Sequence, residues 1–149
     1  MTKKELVNII SELLIPIGFK KKSNYWVFNS SEITKIINLQ KSQFGNYFYI
    51  NYGYIVNRIP LNNLMMHIYN RVASDDENEN LRINELLTLE NNIPDEKREF
   101  ELRVFLNRLL VDKIIQINTE NDLGLLLKNM APSISNIVPL SVQKYFNME

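Results

Sequence analysis

The sequence contains no cysteine and a single histidine, His67. Without cysteine the chain forms neither disulfide bonds nor thiolate zinc sites, and it has no cysteine nucleophile. His67 has no second imidazole with which to share a metal ion, so a metal site would have to be built from carboxylates and carbonyls. We therefore expect no metal and no cofactor.

Long uninterrupted apolar runs are also missing. The N-terminal segment places basic residues before apolar ones, as signal peptides do, but Glu5, Asn8 and Glu12 interrupt its apolar part. No stretch approaches the roughly 18 apolar residues of a membrane span. These features predict a cytoplasmic protein that does not associate with a membrane.

The sequence has no excess of charge of either sign, with 17 Lys and Arg residues against 17 Asp and Glu residues. A neutral chain has no overall field that attracts nucleic acid or an anionic membrane surface. The only basic cluster is Lys20–Lys22, which we interpret as a solvated turn after the first helix. We therefore expect that nucleic acid is not a partner.

The 149 residues, 45% of them hydrophobic, suit one domain that spans the whole chain. Thr2 and Glu5 have capping-box spacing at the start of a helix that ends at Pro16. Short strand patterns follow up to Ala73, and the acidic run 74–80 predicts a solvated loop. Residues 81–90 are ambiguous between a short helix and a strand, and we favour the helix. Helical patterns dominate after Pro94, and the apolar residues of the tail 134–146 predict that it packs on the core. This order predicts an α+β fold in which the N-terminal helix packs on an antiparallel β-meander of about four strands, followed by C-terminal helices.

The stretch 37–54 predicts a hairpin whose two faces differ. With the turn near Gly45, residues whose numbers sum to about 89 lie opposite each other. One face carries apolar side chains such as Leu39 and Ile50, and the first helix is its natural cover. The other face is polar and aromatic, and the strand pattern at 64–73 extends it.

The polar face brings together amide, hydroxyl, imidazole and guanidinium groups among rigid tyrosines, a mixture typical of recognition sites. Alternatively, the C-terminal helices cover this face and its polar groups form an internal seam. The candidate binding residues are Gln40, Ser42, Tyr49, Asn51, His67, Tyr69 and Arg71.

These stretches resemble the bacterial domain of unknown function 4304 family. The resemblance is carried by "LLIPIGFKKKSNYW", "IINLQKSQFGNYFYINYGY" and "HIYNR". It is strongest up to Ala73, and Ser23 departs from the glycine that is usual after the lysines. The family has no settled biochemistry, but its association with toxin and immunity genes implies a binding protein.

Two functions fit the candidate residues. The first, which we favour, is a small binding protein, of the immunity or antitoxin type, whose partner is another protein. The second is a small-ligand-binding protein or an enzyme, with His67 as general base and Arg71 holding an anionic group. In that case Gln40 or Asn51 would orient the substrate.

The charged candidates also have structural interpretations. His67 would then be a hydrogen-bonded strand histidine, and Arg71 would form a salt bridge with Glu85 or Glu90. A third function, binding of single-stranded nucleic acid, would use the tyrosines as stacking platforms. Few Lys and Arg residues flank them, which argues against it.

The assignment of the two hairpin faces is testable at Leu39. Replacing it by alanine should lower the free energy of unfolding by about 2 to 5 kcal/mol, because a buried leucine loses both its transfer energy and its packing. Urea unfolding followed by circular dichroism measures this change. An unfolding midpoint equal to that of the unmodified protein would show that the two faces are reversed.

Overall fold

The computed structural model describes residues 1–130 and 138–148. The chain folds into one antiparallel sheet and a set of helices, which is an α+β fold as predicted. The strands are β1 (Lys20–Lys22), β2 (Tyr25–Asn29), β3 (Ile33–Lys41), β4 (Phe48–Val56) and β5 (Ile68–Arg71). The helices are α1 (Lys3–Leu14), α2 (Glu77–Leu87), α3 (Asp95–Leu106), α4 (Asp112–Ile114), α5 (Glu120–Lys128) and α6 (Leu140–Tyr145), and a π-helical turn (Asn107–Val111) joins α3 to α4.

The strands lie side by side in the order β1-β2-β3-β4-β5, and each neighbouring pair is antiparallel. The central pair has the predicted register, with Leu39 opposite Ile50 and Asn38 opposite Asn51. The predicted number of about four strands is wrong, because Lys20–Lys22 forms an edge strand instead of a turn. An edge strand pairs on one side only, and its lysines discourage other chains from pairing on the free side.

One face of the sheet carries the hydrophobic core, and α1 lies against it as predicted. The predicted capping box at Thr2 starts this helix. Trp26 on β2 donates an indole hydrogen bond of 3.0 Å to Ser11 Oγ on α1, which holds the helix to the sheet. The core contains residues of α1, of the sheet and of the later helices: Leu6, Ile10, Leu14, Trp26, Ile37, Leu39, Phe48, Ile50, Leu102, Leu110 and Leu123.

Lys35 extends from β3 into the layer of helices. Its Nζ atom donates hydrogen bonds to the Ile114 carbonyl at 3.0 Å and to Asn118 Oδ1 at 2.9 Å. Burial lowers the pKa of Lys35, and the carboxylate of Asp122 partly opposes that effect. The ammonium group meets the negative end of the helix that finishes at Ile114, so it fastens this end of the helical layer to the sheet.

The segment before and within α2 differs from the prediction of a solvated acidic loop. Asp76 accepts hydrogen bonds from the backbone N–H groups of Asn78 and Glu79 and caps α2, so the last acidic residues of the segment form the first helical turn. The carboxylates of this turn lie at the positive end of the helix dipole. The prediction that the following residues are helical is confirmed.

Two other predicted segments are shorter or only partly described. The strand predicted over 64–73 is β5, which covers only Ile68–Arg71. The C-terminal tail, predicted to pack on the core, does so at Val138 and Val142, which are both buried. Residues 134–137 of that tail lie outside the described residues.

Arg98 on α3 is fully buried and binds backbone carbonyls. Its Nη2 donates to the Asn91 carbonyl at 2.8 Å, and its Nη1 donates to Leu86 and, at 3.3 Å, to Thr88. Burial lowers the pKa of the guanidinium group. These carbonyls belong to the end of α2 and the turn after it, so one side chain of α3 closes the end of another helix.

Replacing Arg98 by methionine should lower the free energy of unfolding by about 1 to 3 kcal/mol, because it keeps an apolar stem but leaves buried carbonyls without a donor. Arg108→Met is the matched control, since Arg108 forms a half-exposed pair with Glu79 that should contribute less than about 1 kcal/mol. Chemical unfolding of both variants measures the difference. Equal decreases in the free energy of unfolding for the two variants would mean that the carbonyl contacts of Arg98 do not stabilise the fold.

Candidate functional site: the open face of the sheet

The side of the sheet opposite the core carries a polar cluster near the β3–β4 turn. Asn38, Gln40 and Ser42 lie on β3 and just after it, opposite Asn51, Tyr49 and Tyr47, and β5 adds Tyr69 and Arg71. We call this cluster the open face. Gln40 and Arg71 are exposed, and Tyr69 is 41% exposed. No described helix therefore covers this end of the sheet. This differs from the alternative considered for the sequence, in which the C-terminal helices cover the polar face.

Arg71 is held in one position on the open face. Its guanidinium carbon lies 3.7 Å from the centre of the Tyr49 ring, which is a close cation–π contact. Its Nε donates to Asn51 Oδ1 at 3.2 Å, and its Nη2 approaches Gln40 Oε1 at 3.4 Å. Among the described residues no carboxylate forms an ion pair with Arg71, and neither Glu85 nor Glu90 reaches it.

Asn51 and Gln40 form the support beneath the guanidinium. Asn51 is fully buried, and its Nδ2 donates to Gln40 Oε1 at 2.9 Å. The Asn51 amide therefore donates to one neighbour and accepts from the other, which orients both. The inner edge of Arg71, made of Nε and one side of Nη2, is satisfied by this pair. The outer edge, with Nη1, makes no hydrogen bond to a described residue and faces solvent.

The tyrosines and Ser42 form a second group beside the arginine. The rings of Tyr47 and Tyr49 pack edge to face at 5.4 Å. Hydrogen bonding by Ser42, and then by Tyr49, lowers the pKa of Tyr47, whereas the hydrogen bond to Tyr47 raises the pKa of Tyr49. Ser42 is buried and accepts a hydrogen bond of 3.0 Å from the Phe44 backbone N–H, so it also shapes the turn.

His67 does not lie among these groups, although the alternation of the predicted strand placed it there. Its Nδ1 accepts a hydrogen bond of 2.9 Å from the Val56 backbone N–H, and its Nε2 lies 3.1 Å from the Pro60 carbonyl. These contacts require the neutral tautomer with the proton on Nε2. The imidazole is buried. The alternation fails because β5 begins only at Ile68, one residue after the histidine.

The charged residues are unevenly distributed along the chain, although the totals of basic and acidic residues are equal. Between Leu13 and Ser74 there are seven Lys and Arg residues but only one carboxylate, Glu32. The remaining ten basic and 16 acidic residues lie in the first helix and the C-terminal half. The sheet is therefore basic and the helical layer acidic, so the field at the open face is not that of a neutral protein. A count in separate segments would have revealed this from the sequence.

Other kinds of site have less support in the described parts of the chain. Residues 1–130 and 138–148 contain no cluster of three or more His, Asp or Glu side chains with the arrangement of a metal site. Within the same ranges, no helix combines the length and the apolar character that a membrane crossing requires. What the open face offers chemically is a fixed cation, amide groups and aromatic rings.

The architecture is that of an α+β protein whose helices cover one face of a meander sheet and leave part of the other face open. The model of the family described as Domain of unknown function (DUF4304) matches residues 10–136. The match covers most of the chain, so the chain belongs to this family, and the resemblance seen in the sequence is confirmed. No curated protein and no solved structure matches it.

The structural role of His67 is testable by substitution. His67→Ala should lower the free energy of unfolding by about 1 to 3 kcal/mol, since the buried Val56 N–H loses its acceptor. His67→Asn should recover part of this loss, because its side-chain oxygen can take the place of Nδ1. Hydrogen exchange at the Val56 amide follows the contact directly. An exchange rate unchanged in His67→Ala would refute this role.

Proposed function

We propose that this protein is a binding protein and that the open face recognises an acidic group on another protein. The observation that carries the proposal is the state of Arg71, whose guanidinium is fixed by Tyr49, Asn51 and Gln40 yet has no carboxylate partner among the described residues. A guanidinium presents paired donors that match a carboxylate. Because Arg71 is already immobilised, binding would cost little additional side-chain entropy.

The composition of the surface favours a protein partner. Arginine and tyrosine are, together with tryptophan, the residue types enriched among the residues that contribute most to protein interfaces. Phe44, at the tip of the β3–β4 turn, is 88% exposed and gives the same surface a large apolar anchor. The basic character of the sheet would speed association with an acidic partner.

The open face is less suited to single-stranded nucleic acid than to a protein partner. A base stacks on the free face of an aromatic ring, but the ring of Tyr49 is in contact with Arg71 on one face and with Tyr47 at 5.4 Å. Tyr69 is the more accessible ring, at 41% exposure. Two accessible rings, Tyr69 and Phe44, beside one fixed cation offer few phosphate contacts to a strand of several nucleotides.

An immunity or antitoxin role is the particular form of binding protein that we favour, as the family resemblance implies. An inhibitor of this type must hold a specific partner tightly, and a preorganised arginine with flanking aromatic residues suits that task. The enzyme alternative depended on His67 as a general base. Both ring nitrogens of His67 contact backbone groups, which argues against His67 as that base and favours the binding proposal.

The test starts with capture of partners from the native cell, followed by affinity measurement on the purified pair. Arg71→Ala should weaken binding by about 1 to 3 kcal/mol if the contact is direct. Arg71→Lys should recover only part of the affinity, because lysine keeps the charge but lacks the planar donor pair. Binding of the unmodified protein should also weaken as salt concentration rises.

Lys4→Ala is the control, since Lys4 is exposed on α1, which lies on the opposite side of the sheet from the open face. It should leave the affinity unchanged. Thermal unfolding of each variant separates loss of contact from loss of fold. A partner that binds Arg71→Ala as tightly as the unmodified protein would refute the assignment of the open face.

A further inference from the structure

A groove of ≈ 660 Å³ lies on the same side of the sheet as the open face. It begins at Lys22 on the opposite edge of the sheet from Arg71 and runs away from the β3–β4 turn. The sheet forms its floor, and the loop between β4 and β5 forms a wall. Its volume falls within the range of about 300 to 1,000 Å³ that is usual for small-ligand sites. The apolar lining consists of Val27, Ile36, Ile55, Leu61, Leu64 and Met65.

The loop that forms the wall is fixed in place at its base. His67 joins the loop to the end of β4 through its contacts with Val56 and Pro60. Asn62 and Asn63 both have positive φ values, 50° and 72°, a left-handed conformation that asparagine tolerates better than most residues. The groove is therefore a built feature with its own supporting contacts.

Gly53 on β4 allows the returning chain to approach the sheet. A Cβ atom at this position would lie 1.8 Å from the Ile68 carbonyl oxygen and 2.4 Å from the sulfur of Met66. Met66 is itself buried at this close approach. Only glycine permits this close approach, which brings the loop over the sheet.

The charge around the groove has one sign. Lys22 is the one charged residue in the lining, which contains no carboxylate. Tyr25 lies beside Lys22 in the register of β1 and β2, so a hydroxyl-bearing ring accompanies the ammonium group. The loop itself contains no acidic residue. A cation at one end of an aliphatic surface is complementary to an anion that carries an apolar chain.

We propose that this groove binds a fatty acid, with its carboxylate at Lys22 and its chain along Ile36 and Ile55. From Tyr25 to Asn29 the floor is about 13 Å long, since a strand rises about 3.3 Å per residue. Leu64 and Met65 are 46% and 45% exposed at the lip, so an acyl chain would remove their apolar surface from water. This site lies apart from Arg71 and does not depend on the protein partner proposed above.

Calorimetric titration with dodecanoate, below its micelle-forming concentration, tests the proposal on the full chain. We expect saturable binding of one molecule per chain and clearly weaker binding of dodecyltrimethylammonium, which has the same tail and the opposite charge. Lys22→Glu should reduce the dodecanoate affinity about tenfold or more, because the charge that receives the carboxylate is reversed.

Lys21→Glu is the matched control. Lys21 pairs with Trp26 in the β1–β2 register and therefore faces the other side of the sheet. This variant should change the affinity by no more than about twofold, as expected for an exposed charge outside the contact. Arg71→Ala should likewise leave dodecanoate binding unchanged, so a failure of this proposal can be told apart from a failure of the protein-binding proposal.

A structural readout accompanies the titration. The chain has five methionines, so methyl-labelled methionine gives a small set of resolvable NMR signals. Dodecanoate should shift the Met65 methyl signal and leave that of Met1, on the other layer, in place. The double variant Leu64→Gln, Met65→Gln should weaken binding about tenfold through loss of apolar contact. Absence of saturable binding, equal binding of both amphiphiles, or shifts away from Met65 would overturn the proposal.

Discussion

The register between β3 and β4 is the constraint on which the rest of the molecule depends. Leu39 lies opposite Ile50 on the core face, and Asn38 lies opposite Asn51 on the other. A slip of one residue would move amides into the core and apolar side chains to the open face. The free energy of burying the apolar set therefore also positions the amides that hold Arg71. In this way the candidate site is a consequence of how the core packs.

Three buried side chains that suggest chemistry are used to satisfy the backbone at the ends of elements. Lys35 binds the carbonyl that ends α4, Arg98 binds the carbonyls that end α2, and His67 accepts from the last residue of β4. Each meets a group that the regular structure leaves unpaired. Arg71 differs from them, since its contacts are with side chains and its outer edge remains exposed. This difference is the physical basis for choosing it as the recognition residue.

The segregation of charge links the fold to the two proposals. The sheet comes from a part of the chain that is almost free of carboxylates, and the helices come from the acidic parts. The strands contain no carboxylate, and their register places Lys20, Lys22 and Arg71 on the uncovered face. Lys21, Lys35 and Lys41 lie on the side that the helices cover. The apolar groove and the polar open face share this field, although their surfaces differ. An anionic group is the common element in what each would bind.

The sequence by itself determined the features that depend on near neighbours. The alternation in β3 and β4, the turn near Gly45 and the capping box at Thr2 gave the hairpin register, the two faces and the covering helix. Local periodicity and turn chemistry are sufficient for these, because the residues concerned are close in the chain. Family membership was also readable, since it depends on motifs.

Only the tertiary structure decided how distant segments meet. It made Lys20–Lys22 a strand, because strand pairing depends on the neighbouring backbone and not on the side chains of the edge. It turned His67 toward the backbone and stacked Arg71 on Tyr49, and it laid the β4–β5 loop over the sheet to form a groove. These outcomes depend on packing between residues brought together by the fold, and neither periodicity nor composition encodes such contacts.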